Sequence, residues 1–169
     1  MLNEVDWRNI QALVDMEQSL SSLTFFEDIP DKTNRIERRK FRCFHDSMVI
    51  SYCRPFTESK GLPKLSLKKL GVKLDDQENV LHKRLFKYRN EVAAHTDRDR
   101  MRIAQTSFQV SDNIRIPHIV HDESFEFLDD LRKIEDLVRK ILRALSSFVY
   151  EQVQDQDDGA INWRDHLRE

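Results

Sequence analysis

Glycine, proline and cysteine are all scarce in this chain of 169 residues, which contains three, four and two of them respectively. Folds with many short strands need glycine and proline for their tight turns, whereas long helices need neither residue. The two cysteines, Cys43 and Cys53, give no indication of a disulfide framework. Charged residues make up 34% of the chain, and with so few turn formers this composition predicts an all-α protein.

Long apolar runs are also missing. No run approaches the roughly 18 residues that span a bilayer, and charged residues within the first twenty positions argue against a signal peptide. The sequence therefore predicts a cytoplasmic protein without a membrane partner. Three glycines could hardly form a phosphate-binding loop. His118 and His121 are three residues apart, but no cysteine or second histidine pair lies near them in sequence, so no metal site and no cofactor are predicted.

Apolar residues recur at helical spacing in four long stretches of the chain. These stretches cover residues 4–25, 32–58, 75–95 and 122–153. Between the last two, residues 103–120 alternate well enough to predict a small inserted β-hairpin. The pattern predicts a bundle of four or five helices that forms one domain over residues 1–154. Residues 155–169 are expected to form a tail or a short terminal helix.

The net charge of −2 hides a strong asymmetry along the chain. Residues 32–120 hold twenty bases against ten acids, whereas each flanking segment carries six more acids than bases. Blocks of one sign can form a surface that binds a polyanion. The alternative is that acidic helices from the two ends pack beside the basic middle and cancel its charge.

The stretch "RNEVAAH", residues 89–95, stands apart from the ordinary charged helix around it. Arg89 and Asn90 flank the expected buried line of the third helix. His95 lies at the C-terminal end of that helix, where the helix dipole favours a protonated imidazole. On an ideal helix Arg89 and His95 are about 120° apart, and a loosened turn at Ala93–Ala94 would let them converge. A plain helix end explains the histidine but leaves the Arg–Asn pair to chance.

The same residues carry a family resemblance. "RNEVAAH" resembles the R-(N/D/H)-x(3–5)-H signature of the HEPN superfamily. The longer segment "LHKRLFKYRNEVAAHTD", residues 81–97, is similar to the corresponding part of small HEPN proteins from bacterial abortive-infection and toxin systems. The resemblance implies a HEPN-like helical bundle. It further implies a metal-independent endoribonuclease that acts as a toxin or phage-defence effector.

The resemblance also implies a role for each residue of the motif. His95 would act on the ribose 2′-hydroxyl as a general base and later as an acid. Arg89 would neutralise the charge that builds on the phosphate. Asn90 would hold the phosphate or orient the histidine. The products would carry a 2′,3′-cyclic phosphate and a 5′-hydroxyl.

The partners that the resemblance implies are RNA and a second copy of the chain, with two motifs in one composite active site. A cognate antitoxin or nucleotidyltransferase would be a further partner. Seven basic residues are expected to bind RNA: Lys83, Arg84, Lys87, Arg38, Arg39, Lys68 and Lys69. Two alternatives stay open, because fold analogy does not establish function. One is a HEPN-like module that binds RNA, a nucleotide or a protein without cleavage, and the other is a plain helical interaction protein.

Overall fold

The computed structural model describes residues 4–28, 34–59, 61–93, 103–121 and 125–154. Within them lie four α-helices and one β-hairpin, so the predicted helical fold with a small inserted hairpin is confirmed. In chain order the elements are α1 (Glu4–Glu27), α2 (Arg35–Cys53), α3 (Asp76–Tyr88), β1 (Ile103–Ser111), β2 (Ile114–His121) and α4 (Leu131–Gln154). None of these described helices is both long enough and apolar enough to cross a bilayer. The predicted tail lies outside the described residues.

The four described helices share a main apolar core. α1 packs along both α2 and α4, and α3 packs on α2 and, more lightly, on α4. Successive contacts show that α2 and α3 run antiparallel, because Tyr52 meets His82 near the start of α3 and Asp46 meets Tyr88 at its end. The buried core draws on every helix and includes Ala12, Met16, Leu23, Met48, Val49, Leu81, Leu85, Ile134, Leu137, Val138, Ile141 and Leu145.

Two helix boundaries differ from those that the apolar spacing predicts. α2 ends at Cys53 and continues as a 3-10 turn over Arg54–Phe56, because Pro55 has no backbone N–H for an α-helical bond. The last helix begins at Leu131 instead of near residue 122. Phe127 adopts a left-handed backbone with φ of 72°, which no right-handed helix can contain.

The β-hairpin is a two-stranded antiparallel sheet that follows the candidate motif in the chain. Its register pairs Ile103 with His121 at one end and Phe108 with Ile116 nearer the turn. Phe108 and Ile116 are 51% and 43% exposed. Because paired residues point to the same face of a sheet, this hairpin presents an exposed apolar face.

The N-terminus of α3 is fixed by reciprocal hydrogen bonds. The Asp75 side chain accepts a bond from the Glu78 backbone N–H, and the Glu78 side chain accepts one from the Asp75 backbone N–H, each at 2.8 Å. Such a capping box satisfies two donors that the first turn of a helix leaves free. Glu78 also binds Lys140 of α4 at 2.6 Å, so the start of α3 is tied to the bundle.

Replacing Asp75 with alanine is expected to lower the free energy of unfolding by about 1 kcal/mol, because the backbone N–H of Glu78 loses its acceptor. Urea unfolding followed by circular dichroism measures the loss. Asp76→Ala is the matched control, since Asp76 lies in the first turn without a capping bond. An equal loss in both variants would show that the helix dipole, and not the cap, accounts for the effect.

Candidate active site at the end of α3

The candidate motif begins where the regular α-helix ends. Residues Arg89–Ala93 continue α3 as a π-helical turn. The Arg89 backbone N–H, at the junction, is still shared between the carbonyl oxygens of Leu85 and Phe86, so the wider turn follows it. Turns of this kind are rare, and they occur frequently at functional sites. A π turn also advances each residue by less than the 100° of an α-helix, so the angles between side chains over Arg89–Ala93 are no longer the α-helical ones.

Arg89 and Asn90 are held together by a direct hydrogen bond. Arg89 Nη1 donates to Asn90 Oδ1 at 2.9 Å. Arg89 is half-buried and Asn90 is exposed. Burial raises the pKa of the Cys53 thiol to about 12, and the positive charge of Arg89 opposes that rise, so the guanidinium lies towards α2. A guanidinium has five N–H donors, and with one of them on Asn90 it has others to offer an anion.

His95 and the two residues after it lie outside the described residues. The side chains of Val92 and Ala93 are likewise outside the description, although their backbone belongs to the π turn. The structure therefore places two of the three predicted catalytic residues, Arg89 and Asn90, side by side.

Tyr88, the residue before Arg89, is anchored to α2. Tyr88 is 5% exposed, and its hydroxyl donates to Asp46 Oδ1 at 2.9 Å. Burial, and then the Asp46 carboxylate, raise the pKa of Tyr88 above its usual value, so the hydroxyl keeps its proton. His45 is fully buried beside this bond, with Nδ1 3.2 Å from Asp46 Oδ1 and Nε2 2.8 Å from the Glu126 carbonyl oxygen.

Three of the predicted RNA-binding residues lie on α3, and they differ in what they contact. Lys83 and Lys87 are exposed, and their spacing to each other and to Asn90 places all three along one side of the helix. Arg84 instead donates to Asp130 at 2.7 Å, and its guanidinium lies 5.1 Å from the centre of the Phe127 ring. Arg84 therefore stabilises the junction before α4.

The other predicted RNA-binding residues lie at opposite ends of the bundle. Arg38 and Arg39 are in the N-terminal half of α2, beyond Asp46, and the antiparallel packing carries that half past Tyr88 towards the π turn. Lys68 and Lys69 are exposed in a turn that precedes the N-terminus of α3. α3 is about 20 Å long at 1.5 Å per residue, and it separates that turn from the backbone of Arg89.

The described residues offer no alternative centre of metal chemistry. No group of three or more histidine, cysteine, aspartate and glutamate side chains among them could hold a metal ion. His45 uses both ring nitrogens on protein oxygens. His82 accepts from the Tyr52 hydroxyl or donates to it at 2.7 Å, and burial lowers the pKa of His82. These contacts explain both histidines as parts of the fold.

Sequence reasoning missed the Asp46–Tyr88 bond. One signal was available, because a tyrosine on the buried line of α3 needs a polar partner for its hydroxyl. Asp46, in the middle of α2, is such a partner. The spacing of α2 and α3 alone does not give the register in which the two helices pack, so the partner could not be assigned.

No protein-family model, no curated protein and no solved structure matches this chain. The geometry and chemistry of its own residues must therefore carry any inference about function.

Proposed function

We propose that this protein is a metal-independent endoribonuclease of the HEPN type, acting as a toxin or phage-defence effector. The observation that carries the proposal is the π turn that begins at the Arg89–Asn90 pair. An ordinary helix end needs no widened turn at that position. It also gives no reason for the pairing of the exposed Asn90 amide with the half-buried Arg89 guanidinium. The wide turn and the paired side chains support an anion-binding role for these two residues.

In the proposed reaction the RNA supplies its own nucleophile. His95 takes the proton from the ribose 2′-hydroxyl, and the 2′-oxygen attacks the adjacent phosphorus. The bond from phosphorus to the 5′-oxygen breaks, and that oxygen takes a proton as it leaves. Arg89 neutralises the charge on the non-bridging oxygens through its remaining N–H donors. Asn90 holds the guanidinium in place and presents its own amide to the phosphate.

The proposed approach path for RNA runs along α3. Lys83 and Lys87 lead along one side of the helix to Asn90, so a strand whose phosphates follow them would reach the Arg89–Asn90 pair. Arg39 would contribute from the half of α2 that runs towards the π turn. The basic middle of the chain would then form a surface that tracks the backbone of a single strand.

The proposal includes a homodimer, because a composite site needs two copies of the motif. The exposed apolar face of the hairpin, with Phe108 and Ile116, supports an interaction of this kind. A lone two-stranded hairpin is only marginally stable in water, and a second copy could cover this face. A cognate antitoxin or nucleotidyltransferase would regulate the enzyme.

A second candidate function is RNA binding without cleavage. The exposed lysines of α3 favour it, because their attraction for phosphates does not depend on His95. Incubation of the purified protein with total RNA in EDTA separates the two functions. Fragments that end in a 2′,3′-cyclic phosphate and a 5′-hydroxyl support the endoribonuclease. Intact RNA that is bound in a gel-shift assay favours the binding module.

Replacing Lys83 and Lys87 with alanine is expected to weaken RNA binding and its dependence on salt. Each lost phosphate contact should reduce the slope of log K against log salt by about 0.7 for a single strand. Titration of a fluorescent RNA oligonucleotide at several salt concentrations measures this slope. Arg143→Ala is the control, because Arg143 is equally exposed but lies on α4. A slope unchanged from wild type in the double lysine variant would exclude this path.

A further inference from the structure

Tyr88 is the residue at which α3 changes into the π turn, and its side chain is fixed at two places. Its ring lies 5.0 Å from the His45 ring and 5.6 Å from the Phe127 ring, both in edge-on arrangements. Its hydroxyl donates to Asp46 at 2.9 Å. The last residue before Arg89 is thus held by packing and by a hydrogen bond to α2.

Asp46 is itself held in place on α2. Its side chain is 28% exposed, and Oδ1 faces both the Tyr88 hydroxyl and His45 Nδ1. His45 Nε2 lies 2.8 Å from the Glu126 carbonyl oxygen, which can only accept, so that nitrogen carries a hydrogen. Asp46 on α2 therefore bonds the end of α3, and the adjacent His45 bonds the segment that enters α4.

We propose that Asp46 is a positioning residue for Arg89 and Asn90, acting through Tyr88 and without contacting RNA. This inference rests on the proposed endoribonuclease function. Arg89 and Asn90 are the next two residues after Tyr88, and rigid peptide planes pass any displacement of Tyr88 on to both of them. Catalytic groups tolerate little displacement, since a shift of 1 Å can cost about a hundredfold in rate.

The kinetic test removes the Tyr88–Asp46 hydrogen bond by substitution of either partner. Asp46→Ala and Tyr88→Phe are each expected to lower kcat for RNA cleavage by about 10- to 100-fold, with KM little changed. The double variant should be no slower than the slower single variant, because all three lack the same bond. Asp46→Asn keeps an acceptor for the Tyr88 hydroxyl and should restore most of the lost rate.

Tyr52→Phe is the matched control. Tyr52 is also a buried tyrosine whose hydroxyl joins α2 to α3, at 2.7 Å from His82 Nδ1, but it meets α3 six residues before Tyr88. Its loss should lower the thermal unfolding midpoint about as much as Tyr88→Phe does, while kcat stays at the wild-type value. If Tyr52→Phe lowered kcat as much as Tyr88→Phe does, the effect of Asp46 on kcat would be explained by general stability, and the inference would be overturned.

Amide hydrogen exchange tests the positioning without any need for RNA cleavage. The amides of residues 89–93 are expected to exchange about tenfold faster in Asp46→Ala and Tyr88→Phe than in wild type, with no such change in Tyr52→Phe. Unchanged exchange at these amides in both variants would exclude the role of Asp46. If the variants show these exchange differences but the wild-type protein does not cleave RNA, the proposed function is removed and the anchoring of the turn stays established.

Discussion

Replacing Arg89 with alanine is expected to lower the rate of RNA cleavage in EDTA by about 10²- to 10³-fold. The guanidinium is the positive group in the π turn, and its loss leaves the charge on the attacked phosphate without a fixed partner. Single-turnover cleavage of a labelled oligonucleotide measures the rate. His95→Ala should cause a loss of similar size, because the proposed general base for the 2′-hydroxyl is then missing.

The control for Arg89→Ala is Arg84→Ala, which removes another arginine, one that lies on α3 itself. Arg84 binds Asp130 and stacks on Phe127, so its loss should lower stability while the cleavage rate per folded molecule stays close to wild type. Wild-type cleavage by Arg89→Ala or His95→Ala would exclude the mechanism. Cleavage that EDTA abolishes would show that the reaction depends on a metal ion.

Replacing Leu85 with alanine is expected to lower the free energy of unfolding by about 3 kcal/mol. Leu85 is fully buried in the core, in the C-terminal half of α3, so the substitution removes apolar contacts and leaves a cavity that close-packed neighbours cannot fill. Urea unfolding followed by circular dichroism measures the difference. A loss of this size would confirm that α3 packs with this face inward.

Val80→Ala is the matched control for Leu85→Ala, because it lies on the same helix and is 58% exposed. Its effect should stay within about 0.5 kcal/mol, since surface substitutions without specific contacts change stability little. Equal losses at Leu85 and Val80 would contradict the orientation of α3 described above.

Apolar spacing was sufficient to predict the helices with one clear buried face. Leu81, Leu85 and Tyr88 step along α3 at intervals of four and three, and all three are buried. On α1 the spacing predicted the helix but could not identify its inner face. Val14 is 53% exposed, whereas Ala12 is fully buried. Apolar residues occupy several sides of α1, and only its neighbours α2 and α4 determine which side is inside.

The sequence by itself determined the four helices, the hairpin and the choice of Arg89, Asn90 and His95 as candidates, because these depend on local spacing and residue chemistry. The tertiary structure alone decided the surroundings of that motif. Tyr88 bonds Asp46 across 42 positions of the chain, and Arg84 bonds Asp130 across 46. Partners so distant in sequence meet only through the register in which whole helices pack, and that register is set by the fit of the entire core.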